Sequence, residues 1–382
     1  MSSRRPIIHV TTVHARDDIR VFRKECRSLA KAFPNRVVLY VADGKGNDIV
    51  EGVQIKDLGN YRRQRLKRML LASTLARQIE FANPVVVHIH DPELLPAALV
   101  LARNGVKVLY DAHEDLPRSI YSKHWIPESL RGVVARPVGF FESFVTRRLA
   151  GVVAATPHIA ARFRRVNPNT IEASNYPLLE ELSAPIPASA RDRQVCYIGG
   201  ISKARGIKPV VEALALVPEI SLSLCGSFTE EPFLRELQEL PGWKQVTYHG
   251  EVSRAQAQRL ARECMAGIVT FLPEPNHVNA QPNKVFEYMQ AGLPVIASAF
   301  PLWRDLIELN SCGICVDPES PEQIAHAIRV LMNDEPLRTA MGIAGRGAVL
   351  TKYNWKTEEQ KLKAFYDAIL AADPKRRPHE GE

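Results

Sequence analysis

Only 6 cysteines occur in 382 residues and aromatic side chains make up 7%. No apolar run approaches the roughly 20 residues of a bilayer-spanning helix. So few cysteines exclude a disulfide-stapled scaffold; reduced, buried thiols in a cytoplasmic protein are expected. The pair Cys312-Gly-Ile-Cys315 has no second pair at zinc-ribbon spacing and opens no helix after a strand, so structural thiols are expected over a redox or zinc centre. No apolar h-region follows the arginine-containing start, which passes directly into Pro6-Ile-Ile-His-Val10, so no signal peptide is read. No internal repeat is present beyond a shared βα rhythm. Aromatic-interleaved basic motifs of the nucleic-acid-binding modules are also missing, and no nucleic acid partner is expected. With 46% hydrophobic and 24% charged residues, the chain is neither disordered nor fibrous.

What is present is enough chain for two hydrophobic cores, since one core stops growing at about 250–300 residues. Short β-branched runs alternate with helix-length amphipathic stretches throughout, the pattern of βα units on parallel sheets. Strands are predicted at 7–13, 36–41, 85–90, 107–111 and 151–155, then at 194–198, 221–225, 245–249, 267–270, 293–297 and 313–316. The expected fold class is α/β, two Rossmann-like doubly wound domains. Prolines and small residues break both periodicities near 176–192, which places the linker there. The domains are expected at 1–178 and 190–352, and the last dozen residues are read as a frayed tail. The net charge of +8 is unevenly distributed: residues 1–178 carry 28 Lys/Arg against 16 Asp/Glu, and the remainder 22 against 26. The excess is therefore +12 on the amino-terminal domain, while the carboxyl-terminal part stands at −4.

Chemistry concentrates in the segment Gln281-Pro-Asn-Lys-Val-Phe-Glu-Tyr-Met-Gln-Ala-Gly292. Pro282 pre-sets φ, Asn283 reads as an N-cap, and a helix from Lys284 to about Gln290 ends at Gly292. A helix amino terminus with Lys284 beside it suits a diphosphate, and Glu287 on the same side suits two ribose hydroxyls. The alternative, an ordinary capped surface helix with a Lys–Glu pair, has even weight on spacing alone. A second glycine turn, Gly199-Gly200, follows a strand, with Lys203 or Arg205 available to a phosphate. His88, His90 and Asp91 end another strand. A metal there is disfavoured because no Cys or Glu completes a ligand set nearby in sequence.

These residues resemble a known family, the retaining family four glycosyltransferases of GT-B architecture, over essentially the whole chain. The most specific match is Pro282-Asn-Lys-Val-Phe-Glu-Tyr-Met-Gln-Ala-Gly-Leu-Pro-Val295. Tyr197–Gly206, His88–Pro96 and Tyr110–Asp115 support it, and Thr11–Glu25 is similar to the branch that assembles bacterial surface polysaccharides. The resemblance implies transfer from a nucleotide-diphosphate sugar to a glycan or lipid-linked acceptor, with retention and without a metal or other cofactor, in the cleft between the domains. Glu287 then holds the ribose, and Arg205 with Lys284 neutralises the diphosphate. Gly199 and Gly200 admit it, and Asn279, Ala280 and Asn283 face the sugar. Asn279 stands where many relatives carry a second glutamate. His113 is implied as the catalytic-site histidine at the donor sugar, with Asp18, Arg20, His90 and Asp91 as acceptor-side candidates; Asp18 and Arg20 equally fit a surface ion pair. A carboxyl-terminal helix, about 356–372, is expected to complete the first domain.

The basic run Arg62, Arg63, Arg65, Lys67 and Arg68 fits two readings equally, a solvated helix face or peripheral contact with an anionic membrane at the inner face of the cell membrane. Two rival functions remain: a nucleotide-sugar epimerase or hydrolase of the same architecture, and a catalytically silent nucleotide-sugar-binding protein.

Overall fold

The computed structural model describes residues 5–61, 64–121, 126–182, 186–187, 189 and 191–372. The chain forms two compact units, residues 1–175 with 355–382 and residues 176–354. Parts of the expected linker, Arg62, Arg63 and the expected tail lie outside the described residues, as do the side chains of Arg65 and Lys67.

The first unit is built on β1 (Ile7–Thr11), β2 (Val37–Val41), β3 (Asp48–Val50), β4 (Val53–Asp57), β5 (Val86–Ile89), β6 (Val108–Ala112), β7 (Gly151–Ala154) and β8 (Thr170–Glu172). Their order in the sheet is β3-β4-β2-β1-β5-β6-β7-β8, parallel except for β3 against β4. Its central strands are apolar runs buried on both faces, as helices covering both sides of a parallel sheet require. The helix Trp355–Ala371 belongs to this unit: Trp355 Nε1 donates to Ser28 Oγ at 2.9 Å, and Glu358 accepts from the Ser174 amide at 3.1 Å.

The second unit contains β9 (Asp192–Ile198), β10 (Ser221–Cys225), β11 (Val246–Gly250), β12 (Cys264–Val269), β13 (Val295–Ser298) and β14 (Gly313–Val316). All pair in parallel in the order β11-β10-β9-β12-β13-β14. Its helices follow local signals. In Pro321–Asn333, Ser320 accepts from the Gln323 amide, proline occupies the first turn, and Ile324, Ala327, Ile328 and Leu331 form the buried stripe. All 6 cysteines are free and only Cys315 is not fully buried. Burial raises the Cys312 thiol to about 12 and that of Cys315 to about 11, as suits structural thiols.

In each sheet the order reverses beside the first strand, between β1 and β5 and between β9 and β12. Ligand crevices of open α/β sheets form at such switch points, outside the carboxyl ends of the strands. Most sequence candidates fall on the loops there or on the helices that follow them.

Candidate functional site

At the carboxyl end of β9 the chain turns through Gly199 at φ 137°. The positive φ favours glycine, and a Cβ there would push the Lys284 ammonium aside. Lys284 lies against Tyr197, its Nζ 5.6 Å from the ring centroid. Burial lowers its pKa, with Glu287 opposing and Arg205 adding to the shift. The Arg205 guanidinium stacks on Phe271 at 4.1 Å. Gly206, at φ 68°, lets the 203–205 turn approach the Thr270 carbonyl, which any Cβ would strike. Lys203 instead pairs with Glu236 at 2.8 Å on the exposed side, so of the two candidate cations Arg205 is the one kept beside Lys284.

The helix Asn283–Gln290 brings these groups together. Its cap position is Pro282, and Asn283 is already the first helical residue with no side-chain cap bond, which corrects the expected N-cap. Val285, Phe286, Tyr288 and Met289 bury one face; Tyr288 Oη accepts from the Ile198 amide at 3.0 Å, tying the helix to the end of β9. Glu287 stands on the accessible side, 40% exposed, with Arg254 Nη1 at 3.5 Å. Arg254 also grips Glu181, Nε to Oε1 at 3.0 Å. A pocket opens beside them, lined by Glu181, Arg254, Gln258, Arg262, Glu287 and Arg346. Asn279 and Ala280 are half-buried, and the Ala280 carbonyl accepts from Trp303 Nε1 at 2.6 Å, which holds their loop. Gly200 is exposed, and its carbonyl accepts from Tyr197 Oη at 2.8 Å. Thr270 Oγ1 and Gln281 Oε1, on the same loops, are buried without a partner. Unpaired buried oxygens are costly, and these two face no protein donor among the described residues.

In the first unit the candidates separate into accessible and buried sets. His113 is 21% exposed, with Nε2 2.9 Å from Asp111 Oδ2. His14 stacks on His113, centroids 5.1 Å apart, and reaches Asp18 at 3.2 Å and Asp91 at 3.5 Å. Asp18 caps the helix Ile19–Cys26 by accepting from the Arg20 and Val21 amides, each at 2.9 Å, and its side chain pairs with His14 rather than with the Arg20 guanidinium. Burial alone would raise its carboxyl, but the hydrogen bonds from His14 and Val21 hold it well below the usual carboxylate range.

Arg20, expected at the acceptor surface, is instead buried. It clamps Asp111 at 3.0 and 2.6 Å, donates to the Ala173 carbonyl at 2.8 Å, and lies 3.2 Å from Glu25. His90 and Asp91 are likewise buried. Asp91 ties its loop by accepting from Thr11 Oγ1 at 3.0 Å and from the Thr12 amide at 2.6 Å. His90 bridges His9 at 2.9 Å and Asp111 at 3.0 Å.

The sequence argument against a metal at His88 and His90, that no glutamate lies nearby, does not hold in three dimensions. Glu25 and His9 gather with His88 and His90, their ligand atoms within 4.8 Å of one another. Most imidazole nitrogens are engaged within the cluster, His88 Nδ1 meeting Tyr366 Oη at 2.8 Å and His9 Nε2 meeting it at 3.3 Å, while the buried His88 Nε2 has no hydrogen-bond partner among the described residues. Burial lowers the pKa of His9, His88 and His90, which favours neutral rings hydrogen-bonded to one another.

Two family models divide the chain. "Glycosyl transferases group 1" matches residues 180–348, and "Glycosyl transferase 4-like domain" matches residues 20–173. The chain is a glycosyltransferase, with the group 1 family carried by residues 180–348. It is 35% identical over 79 residues to the GDP-mannose-dependent alpha-(1-6)-phosphatidylinositol monomannoside mannosyltransferase of Mycobacterium tuberculosis (strain CDC 1551 / Oshkosh), covering 21% of this chain and 20% of that relative. The match thus spans about a fifth of that relative's length. Over 235 residues it is 26% identical to the lipopolysaccharide core biosynthesis glycosyltransferase LpsE of Rhizobium meliloti (strain 1021), covering 58% and 64% of the two chains. Among solved structures, sucrose-phosphate synthase from Thermosynechococcus elongatus superposes with a TM-score of 0.78 at 19% identity, covering 97% of this chain and 100% of that one. The two parallel-sheet α/β units are those of the GT-B fold class.

Two residues of this glycosyltransferase escaped the sequence reading. Arg254 carries no local motif; its position against Glu287 follows from packing of the helix Arg254–Glu263 beside β9 and β12. His14 was legible only as one polar residue in a loop. Burial would lower its pKa, but the hydrogen bond it donates to Asp18 and the charges of Asp91, Asp18 and Asp111 raise it above 6.5. A raised folded-state pKa stabilises most below the unfolded value and loses that contribution as pH rises through the folded one. His14→Gln is therefore expected to remove a stability increment below about pH 6.5 and to change little at about pH 9. Urea unfolding at both pH values checks this, and an equal loss at both would exclude an imidazolium contribution.

Proposed function

We propose that this glycosyltransferase moves a sugar from a nucleotide-diphosphate sugar to a glycan or lipid-linked acceptor, with retention of configuration, in the assembly of a surface polysaccharide. The observation that carries the reading is the convergence of Lys284, Arg205 and the amino terminus of the helix Asn283–Gln290, with Glu287 one turn further on. Such an array suits a departing diphosphate and a ribose. Gly199 and Gly200 leave room for it, and Asn279, Ala280 and Asn283 are assigned to the sugar. The anomeric C–O bond to the diphosphate breaks while the acceptor oxygen bonds to the same face of that carbon, and the acceptor proton passes to the leaving diphosphate. Arg205, Lys284 and the helix amino terminus supply the charge stabilisation, so no metal is assigned a role. His113 is assigned to a sugar hydroxyl, with its backbone carbonyl near the anomeric carbon, and Asp18 to the acceptor together with His14.

Transfer in the cytoplasm at the membrane surface accords with the +12 charge of residues 1–178. The named activities of the mannosyltransferase and of LpsE support a lipid-linked or polysaccharide acceptor.

Incubation with labelled UDP-, GDP- and dTDP-sugars, with and without lipid-extract acceptor, tests the reading. Nucleotide release that depends on acceptor is expected. Release without acceptor would instead establish an epimerase or hydrolase, and binding without turnover a silent binding protein. Glu287→Ala is expected to weaken nucleotide binding by about tenfold or more, as loss of a charged hydrogen-bond acceptor does. Unchanged affinity in calorimetric titration would remove this helix from the donor site.

A further inference from the structure

The helix Glu128–Thr146 packs one face inward through Ala135, Glu142, Val145 and Thr146. Its opposite face carries Leu130, Val133, Val134, Pro137, Phe140 and Phe141, all exposed; Val133 is 67% and Phe140 75% accessible. At about 100° per residue these six fall within an arc of roughly 120° and run along about 17 Å of helix. An apolar stripe of this size on a soluble helix marks a contact surface. Among the described residues no carboxylate lies on it: Glu142 is buried, and Glu128, at the start of the helix, lies off the stripe, 3.5 Å from Arg131. Arg136 and Arg147 line one edge, exposed and without an ion pair among the described residues, and Arg148 covers Phe144 at 3.7 Å.

We propose that this face docks on an anionic lipid bilayer, the apolar stripe entering the headgroup boundary and the arginines meeting lipid phosphates. The proposal deepens the membrane-surface part of the function proposed above and names the surface involved. Charge complementarity selects the occupant. An apolar stripe edged by unpaired arginines has the make-up of a helix lying in a membrane interface. A second copy of the chain would bring the same arginines into one desolvated seam, where like charges repel. The basic run at 62–68 has less claim on the membrane, since Arg68, its one described side chain, is held by Glu93 at 2.7 Å.

Flotation of the full chain with phosphatidylcholine vesicles, with and without roughly 30% phosphatidylglycerol, tests the proposal. Binding to the anionic vesicles is expected, and it should fall about tenfold or more in pure phosphatidylcholine and in the double variant Val133→Asp/Phe140→Asp. Both positions are exposed, so the variant should keep the wild-type melting temperature and nucleotide affinity. Wild-type protein that floats with neither vesicle overturns the proposal, as does a double variant that binds like wild type. A wild-type dimer in sedimentation equilibrium that the double variant dissociates also overturns it, by assigning the face to a second copy. Protein that floats but transfers no sugar would keep the docking surface and refute the transfer reading. Transfer to a soluble acceptor by protein that never floats would do the reverse.

Discussion

Lys284→Ala is expected to lower kcat/KM for sugar transfer by about 10²–10³-fold, the range seen when one preorganised donor to developing charge is removed. The ammonium is held in place before any ligand arrives. Gly199 leaves it room, Tyr197 lies beneath it, and the helix that carries it is fixed to β9 through Tyr288. Its lowered pKa reflects burial, so the charge sits in a medium where it acts strongly on a neighbouring anion. The same geometry gives a second route to the defect. Gly199→Ala should displace the ammonium by collision while leaving Lys284 itself unaltered, and its rate should approach that of Lys284→Ala. The double variant should then be little worse than Gly199→Ala, because that single change already displaces the ammonium and carries the backbone strain at φ 137°. Steady-state kinetics on the four proteins measure this. A Lys284→Ala enzyme within about threefold of wild type would show that the diphosphate charge is met elsewhere.

Asp111→Asn should destabilise the amino-terminal unit by about 3–5 kcal/mol, the scale for leaving a buried charge without its partner. Asp111 receives two hydrogen bonds from Arg20 and one from His90, and His113 lies against it at 2.9 Å. Burial by itself would raise its carboxyl, but the Arg20 guanidinium and the two histidines hold it well below the usual carboxylate range. A depressed carboxylate stabilises the fold above its ordinary pKa and loses that contribution as pH falls through the folded one. The loss in the asparagine variant should therefore be full at pH 7 and shrink in strong acid. Denaturant unfolding across that range decides the point, and a loss under about 1 kcal/mol at pH 7 would show that Glu25 alone can neutralise Arg20.

Local signals and long-range ones were not equally legible. Each of the eleven strands read from β-branched runs is present, because strands of covered parallel sheets must be apolar over several residues. The three that were not read, β3, β4 and β8, lie at or next to the ends of their sheet, are short or alternate with exposed polar residues, and so carry little apolar signal. Strand alternation placed His88 and His90 on one face, and their rings do lie 4.7 Å apart. It said nothing of His9, Glu25 and Tyr366, which reach the same spot from β1, the helix Ile19–Cys26 and the helix Trp355–Ala371. For the same reason Arg20 read as a surface cation although the fold buries it.

The sequence by itself determined two parallel-sheet units and the short helix that carries Lys284 and Glu287, because glycine turns and apolar periodicity are set by residues a few positions apart. Only the tertiary structure decided that Lys203 is drawn to Glu236, that Arg254 attends Glu287, and that Arg20, His90 and Asp91 are internal. It alone also left the apolar face of the helix Glu128–Thr146 uncovered. Burial and pairing depend on which distant elements meet, and no spacing along the chain encodes that meeting.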